Sequence, residues 1–111
     1  MIARCKPDRD VYPVIRLIIA AEVIELQTDT HIKARTSDVS LVGCYLDMMN
    51  PLPLGTDVRL KLAHQNTTFI ALGTVAYSQA NMGMGITFTV VEPEQQRVLE
   101  KWFTGLSTTD P

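Results

Sequence analysis

The chain has 111 residues, of which 46% are hydrophobic and 20% are charged, and its formal net charge is −2. This length accommodates one domain with a single core, and the composition excludes a disordered tail or a fibrous protein. A net charge so close to zero gives no overall sign of binding to long nucleic acids or to acidic membranes.

The two cysteines, Cys5 and Cys44, are too few for a disulfide framework or a four-cysteine zinc site. We therefore expect reduced thiols and no metal. The N-terminus is charged and lacks the apolar region of a signal peptide, and the most apolar run, residues 17–21, is too short to span a bilayer. These features favour a soluble, cytoplasmic protein without a transmembrane segment.

Charge is segregated along the chain. Residues 1–16 carry a net charge of +2, whereas the remaining residues sum to −4. This distribution predicts a basic N-terminal arm, residues 1–16, attached to an acidic body, residues 17–106, which a polar tail, residues 107–111, follows.

Six segments of the body have the alternation or the β-branched content of short strands. In chain order they are residues 17–26, 31–36, 44–48, 58–62, 67–77 and 83–88. Pro51 and Pro53 make the segment before the fourth strand a loop, because proline has no amide hydrogen to donate. Short strands without intervening helices favour an antiparallel sheet that closes into a small barrel.

The hydrophobic period changes near the C-terminus. Pro93, flanked by Glu92 and Glu94, is typical of a first helical turn. The apolar residues that follow have helical spacing; they are Val98, Leu99, Trp102, Phe103 and Leu106. We expect Thr104-Gly105 and the polar tail, residues 107–111, to end the helix, and its aromatic residues to pack against the mouth or flank of the barrel. The predicted fold is therefore mainly β, a six-stranded antiparallel β-barrel with one C-terminal α-helix.

Catalytic patterns are weak. His31, Asp38 and Ser40 lie within ten residues of one another, but no Gly-x-Ser-x-Gly motif accompanies them. His31 and His64 are expected to be exposed strand and turn residues, and Cys44 to be a core residue. No phosphate-binding Gly-x-x-x-x-Gly-Lys loop is present. The sequence predicts a protein that is not an enzyme.

The segment 38–43 has residue types that favour a turn between two strands. Asp38 and Ser40 are suited to bind nearby backbone amides, and Gly43 is suited to a positive φ angle. The same segment resembles the Asp/Asn-x-Ser-x-x-Gly motif of PilZ domains, bacterial receptors for cyclic di-GMP. The resemblance extends to Tyr12-Pro13 and to three later segments, residues 51–60, 83–88 and 92–94.

The resemblance implies the same barrel and helix, together with a cyclic di-GMP site at Asp38, Ser40 and Gly43. The family's second motif is Arg-x-x-x-Arg, just before the first strand, and here the sequence departs from it. Aligning on Tyr12-Pro13 puts Asp10 and Val14 at the two arginine positions. A shifted alignment puts Arg16 at the second position and Tyr12 at the first. No two arginines in this chain are four residues apart.

Cyclic di-GMP presents two phosphates and two guanines. Arginine reads the O6 and N7 atoms of guanine and stacks on the base, and a carboxylate such as Asp38 accepts hydrogen bonds from N1 and N2. Ser40 is suited to a phosphate or a base edge, and Gly43 allows a close backbone approach. We expect Arg9 and Arg16 to supply the cationic contacts from the arm.

The predicted function is regulatory: cyclic di-GMP orders the arm across the barrel and so changes the surface that a protein partner meets. By family resemblance, that partner belongs to motility, pilus or exopolysaccharide machinery. The alternative is a PilZ-like adaptor that has lost cyclic di-GMP binding, in which residues 38–43 form only a turn. An OB-like barrel for single-stranded nucleic acid is disfavoured by the acidic body and by only seven aromatic residues, so neither DNA nor RNA is expected as a partner.

Overall fold

The computed structural model describes residues 14–108, and within the final helix it describes side chains as far as Thr104. This part of the chain forms seven strands and one helix. They are β1 Ile15–Arg16, β2 Ala20–Glu25, β3 Thr30–Val39, β4 Gly43–Asp47, β5 Asp57–His64, β6 Thr67–Gln79, β7 Gly83–Val90 and α1 Pro93–Thr108.

Six of the strands close into an antiparallel barrel. Their order is β3-β2-β5-β6-β7-β4, and pairing between β3 and β4 closes the ring. The two-residue strand β1 pairs with the end of β3. The structure thus confirms the predicted six-stranded antiparallel barrel with one C-terminal helix, and it adds β1 as a short seventh strand.

The barrel interior is filled by one face of each strand. On β5, Val58, Leu60 and Leu62 are fully buried, whereas Arg59 and Lys61, which alternate with them, are exposed. This is the pattern expected of a strand with one buried and one solvated face. Other strands supply similar residues to the same core, among them Val23, Val39, Leu46, Phe69, Met84 and Ile86.

The two ends of the barrel differ in what they carry. The connections β2–β3, β4–β5 and β6–β7 lie at one end, which we call the loop end. The β3–β4 turn, which contains Ser40, lies at the opposite end, which we call the motif end. Because neighbouring strands are antiparallel, the whole 38–43 segment and β1 fall at the motif end.

The first predicted strand is wrong in one respect. Residues 17–26 do not form one strand, because residues 17–19 connect β1 to β2 without strand pairing of their own. The buried side chain of Thr36 on β3 occupies this gap. Its Oγ1 accepts a hydrogen bond from the Ile19 amide at 3.1 Å and donates one to the Leu17 carbonyl. The Thr36 side chain thus adds two hydrogen bonds to the two main-chain bonds that join residues 17 and 19 to β3.

Helix α1 covers the barrel beside β6, as predicted. Leu99 and Trp102 are buried, and the Trp102 indole Nε1 donates a hydrogen bond to Thr67 Oγ1 at 2.7 Å. The Gln95 side-chain oxygen accepts a hydrogen bond from the Ile70 amide at 2.7 Å. In the described part of the chain, no helix combines the length and the apolarity needed to cross a membrane.

The helix ends two residues later than the predicted boundary between residues 106 and 107. Helix α1 continues through Gly105 to Thr108. A glycine in a helix costs about 1 kcal/mol relative to alanine but, unlike proline, leaves the hydrogen-bonding pattern of the helix intact. The glycine therefore weakens the last turns without ending them.

Candidate ligand-binding site

Asp38 lies near the C-terminal end of β3, on the outer face of the barrel. Its partner on β1 is Arg16, and its partner on β4 is Tyr45. Residues directly opposite each other in an antiparallel pair project to the same face of the sheet, with Cβ atoms roughly 5 Å apart. The structure therefore brings Arg16 next to Asp38, although 22 positions separate them in the sequence.

A bulge in β3 gives Asp38 its outward orientation. Ile32, Ala34 and Thr36 face the interior in regular alternation, which would also turn residue 38 inward. The register with β4 shifts between Thr36 and Asp38, however, so that Ser37 is an extra residue. Val39, rather than Asp38, is fully buried as a result. One inserted residue thus moves the carboxylate from the core to the surface.

The turn after β3 is held by Ser40, which is buried. Its Oγ accepts hydrogen bonds from the amides of Val42 and Gly43, both at 3.2 Å, and lies 3.3 Å from the Gly43 carbonyl oxygen, to which it donates. The Ser40 amide donates to the same carbonyl at 2.8 Å. This confirms that Ser40 binds nearby backbone amides, and the geometry makes the turn self-contained.

Gly43 does not have the predicted positive φ angle; in the described chain, the glycines with positive φ are Gly55 and Gly83. The requirement at this position is steric instead. A Cβ atom on Gly43 would lie 2.3 Å from the Ile86 carbonyl oxygen on β7. Glycine is needed here because the backbones of β4 and β7 approach closely, so the prediction was right about the residue and wrong about the reason.

Two tyrosines continue the row that Arg16 and Asp38 begin. Tyr45 on β4 pairs with Gly85 on β7, and Gly85 pairs with Tyr77 on β6. The two rings lie with centroids 6.3 Å apart and planes inclined by 42°. Neither residue is predicted to belong to the site from the sequence alone. No sequence signal joins them, because their proximity depends on strand order and on register.

The remaining predicted site residue, Arg9, lies outside the described residues, as do Asp10, Tyr12 and Pro13. Of the five predicted ligand-binding residues, the structure therefore places four. Arg16, Asp38, Ser40 and Gly43 all lie on β1, β3, β4 or the turn at the motif end.

The histidines take structural positions. His31 is an exposed strand residue, with Nδ1 3.1 Å from Glu22 Oε2 and Nε2 3.8 Å from Asp29 Oδ1. The hydrogen bond from His31 lowers the pKa of Glu22, with smaller contributions from the charges of Lys61 and Lys33. At the usual rise of about 3.3 Å per strand residue, His31 lies roughly 20 Å from Asp38 along β3, too far for a shared catalytic site.

Two further predictions concern His64, expected in an exposed turn, and Cys44, expected in the core. His64 ends β5, is half-buried and contacts Trp102 edge to face, with ring centroids 5.3 Å apart. Cys44 is buried in β4, as predicted, and its burial raises the pKa of the thiol. Within residues 14–108, no three His, Cys, Asp or Glu side chains cluster as metal ligands would.

The sequence matches the family model described as PilZ domain over residues 15–105. That match covers most of the chain, from β1 into the last turns of α1. The chain belongs to the PilZ domain family. PilZ domains are regulatory binding domains. A search of curated protein sequences gives no significant match.

Three solved structures have the same fold as this PilZ domain. The PilZ domain of CeSA from a cellulose-synthesizing bacterium has a TM-score of 0.69 and 21% identity, and the match covers 86% of this chain and 98% of that one. The PilZ domain of YcgR from Escherichia coli, solved with c-di-GMP, has a TM-score of 0.67 and 16% identity, over 88% and 91%. The Bacillus subtilis inhibitor of motility, MotI/DgrA, has a TM-score of 0.70 and 12% identity, over 90% and 51%.

Proposed function

We propose that this PilZ domain binds cyclic di-GMP at the motif end, between the arm and the 38–43 turn, and relays the binding event to a protein partner. The observation that carries the proposal is the direct pairing of Arg16 with Asp38 across β1 and β3. This pairing puts the residues that bear a guanidinium and a carboxylate, the two groups that recognise phosphate and guanine, opposite each other on the outer surface.

Asp38 supplies base recognition in this proposal. It is half-buried and projects outward, so its carboxylate can accept hydrogen bonds from the N1 and N2 edge of a guanine. Arg16 is exposed and free to contact a phosphate or the Hoogsteen edge of a base. Arg9 extends the same cationic contact from the arm. The ligand bears two negative phosphates, so an arm with net charge +2 complements it.

Ser40 and Gly43 support the site indirectly. A hydroxyl has two acceptor lone pairs and one donor, and Ser40 already uses all three within the turn. We therefore assign Ser40 to holding the turn, rather than to contacting the ligand. Gly43 allows β4 to approach β7 closely, which fixes where the turn leaves the barrel.

Thr36 fixes the base of the arm. Besides its two side-chain bonds to residues 17 and 19, its amide donates to the Ile19 carbonyl at 3.0 Å, and the Leu17 amide donates to the Ser37 carbonyl at 3.1 Å. These bonds hold the chain that follows Arg16 against β3. Arg16 thus has a fixed main-chain position beside Asp38. In this proposal, bound cyclic di-GMP holds the arm across the barrel and so changes the surface presented to a partner.

Calorimetric titration with cyclic di-GMP, at low and at moderate salt, tests the proposal. We expect saturable binding that weakens as salt rises. Asp38→Ala and Arg16→Ala should each weaken binding by about 5- to 150-fold, because a bidentate contact is worth about 1–3 kcal/mol. Asp47→Ala and Arg97→Ala are matched controls, since both residues are exposed and lie outside the proposed site. No heat at high micromolar ligand contradicts the proposal.

A second candidate function is that of an adaptor that no longer binds the nucleotide. The loop end favours it, because its connections carry four exposed apolar side chains: Leu26, Met49, Leu54 and Met82, with 48%, 64%, 68% and 55% of their surface exposed. Backbone hydrogen bonds join two of these loops, Met48 to Met82 and Asn81 to Met49. Exposed apolar patches often mark protein interfaces. A folded domain that gives no heat with cyclic di-GMP supports this second function.

A further inference from the structure

The arm of this chain lacks the arginine pair, four residues apart, of the PilZ Arg-x-x-x-Arg motif. A guanine base has two flat faces, and an arginine guanidinium commonly covers one of them by stacking. Here Asp10 and Val14 occupy the positions where the family pattern has arginines, and no two arginines are four residues apart. Arg9 and Arg16, which supply the cationic contacts of the proposed function, therefore lack the spacing of the family's arginine pair, and a stacking surface on the barrel would complement them.

The outer face beside Asp38 carries two such groups. Asp38, Tyr45, Gly85 and Tyr77 form one in-register row across β3, β4, β7 and β6. Adjacent strands lie about 4.8 Å apart, so this row spans roughly 14 Å of surface. Both tyrosines are half-buried, with their rings on the same side of the sheet as the Asp38 carboxylate.

Gly85 makes the close approach of the two rings possible. It lies between Tyr45 and Tyr77 in the row and has no side chain to separate them, and their ring centroids are 6.3 Å apart. The Tyr77 hydroxyl donates a hydrogen bond to the Gln79 side-chain oxygen, which restrains the ring. The two rings, inclined by 42° to each other, form an aromatic surface on which each ring offers a separate face, in the same row as the Asp38 carboxylate.

Two bulges, one at each end of the row, turn its terminal side chains outward. Alternation along β6 buries Phe69, Ala71 and Val75 and would turn residue 77 inward as well. The register with β7 shifts between Val75 and Tyr77, so Ala76 is the extra residue and Tyr77 faces outward. The shift in β3 does the same for Asp38. Bulges that re-aim side chains are over-represented next to functional sites.

We infer that Tyr77 and Tyr45 form the stacking platform for a guanine of bound cyclic di-GMP, in place of the Arg-x-x-x-Arg pair that the arm lacks. The inference rests on the proposed function and adds two ligand-contacting residues to it. Stacking on a tyrosine ring is tolerant of base identity, so Asp38 supplies the selectivity for guanine while the platform supplies affinity.

Variants of Tyr77 test the platform by calorimetry with cyclic di-GMP. Tyr77→Leu removes the aromatic face and should weaken binding on the order of tenfold or more. Tyr77→Phe and Tyr77→Trp keep an aromatic face and should bind within about threefold of the wild type. In Tyr77→Trp, a stacked guanine should also quench the fluorescence of the indole at position 77. Tyr45→Leu should weaken binding in the same direction. Urea midpoints of all variants show whether the barrel stays folded.

The outcomes separate the two proposals. If the wild type binds and Asp38→Ala does not, but Tyr77→Leu binds like the wild type, the platform is wrong and the proposed function stands. If Tyr77→Phe is as weak as Tyr77→Leu, the hydroxyl rather than the ring is needed, and the platform is again wrong. If the wild type does not bind cyclic di-GMP, both proposals fail. Should Tyr77→Leu fail to fold, Tyr77→Trp still tests the platform: if saturating ligand quenches its indole emission no more than it quenches the Trp102 emission of the wild type, the platform is wrong.

Discussion

Thr36 and Ser40 are the two buried polar side chains in the described part of the chain, and their hydroxyls act over very different ranges. The Thr36 hydroxyl is hydrogen-bonded to Ile19 and Leu17, which lie 17 and 19 positions away in the sequence. The hydrogen bonds of the Ser40 hydroxyl reach no farther than three positions. One residue joins two segments of the fold, and the other shapes a single turn. The difference explains why the turn could be recognised from the sequence and the anchor could not.

The largest loss of stability should follow replacement of Thr36, whose hydroxyl bonds residues that are distant in the sequence. Thr36→Val keeps the shape but leaves the Ile19 amide and the Leu17 carbonyl without their buried partner, which should lower the free energy of unfolding by about 3 kcal/mol. Urea denaturation measures this. Thr74→Val is the matched control, because Thr74 donates to Asp57 at an exposed site and should cost below about 0.5 kcal/mol. Equal losses of stability in Thr36→Val and Thr74→Val would show that the buried, long-range bonds of Thr36 are not worth more than an exposed bond.

Replacement of Ser40, whose hydroxyl bonds only nearby residues, should lower the free energy of unfolding by less. Ser40→Ala removes the acceptor of two turn amides, one of them buried, and should lower the free energy of unfolding by about 1–2 kcal/mol. Ser78→Ala, which removes a single half-buried bond to the Leu52 carbonyl, provides the comparison and should cost less than Ser40→Ala. A cost for Ser40→Ala as large as that for Thr36→Val would show that range in sequence is not what matters.

The hydrogen bond between Trp102 and Thr67 shows whether distance in the sequence or burial decides how much a bond stabilises the fold. Thr67→Val removes the acceptor of the Trp102 indole hydrogen bond, which joins positions 35 residues apart but is only part-buried. We expect a loss of about 1 kcal/mol in the free energy of unfolding, because water can replace part of the bond. Urea denaturation followed by the single tryptophan's emission measures it. A loss near that of Thr36→Val would indicate that range outweighs burial.

The smallest effect should come from the exposed pair of Glu22 and His31. The hydrogen bond from His31 holds the pKa of Glu22 below its ordinary value, so the carboxylate stabilises the fold above that ordinary value and loses this contribution as pH falls through the lowered one. Glu22→Gln should therefore be slightly less stable than the wild type at pH 7. The two urea midpoints should converge in strong acid, and a gap that persists there would rule out this origin.

The sequence alone was sufficient for the fold class and for the turn. Alternation along β5 identifies its buried face, and the helical spacing of Leu99 and Trp102 identifies the face of α1 that packs on the barrel. Ser40 was recognisable because a serine followed by a glycine acts within a few residues, where the sequence order is also the spatial order.

The rest depends on register, which no local pattern encodes. The extra residues Ser37 and Ala76 break no composition rule, yet each reverses the direction of the side chains that follow it. Strict alternation would have assigned Asp38 and Tyr77 to the core. The anchor at Thr36 could not be predicted for the same reason, since its partners are defined by where β1 and β2 meet β3.

The hydrogen bond from the Ile70 amide to the Gln95 side chain has a consequence for solubility. The first half of β6 pairs with β5 on one edge, and in the described part of the chain no strand borders its other edge, because pairing with β7 begins only at Leu72. Helix α1 covers this open edge. A chain that lost the helix would offer unpaired main-chain groups to a second copy, so the C-terminal helix also protects the domain against strand-by-strand aggregation.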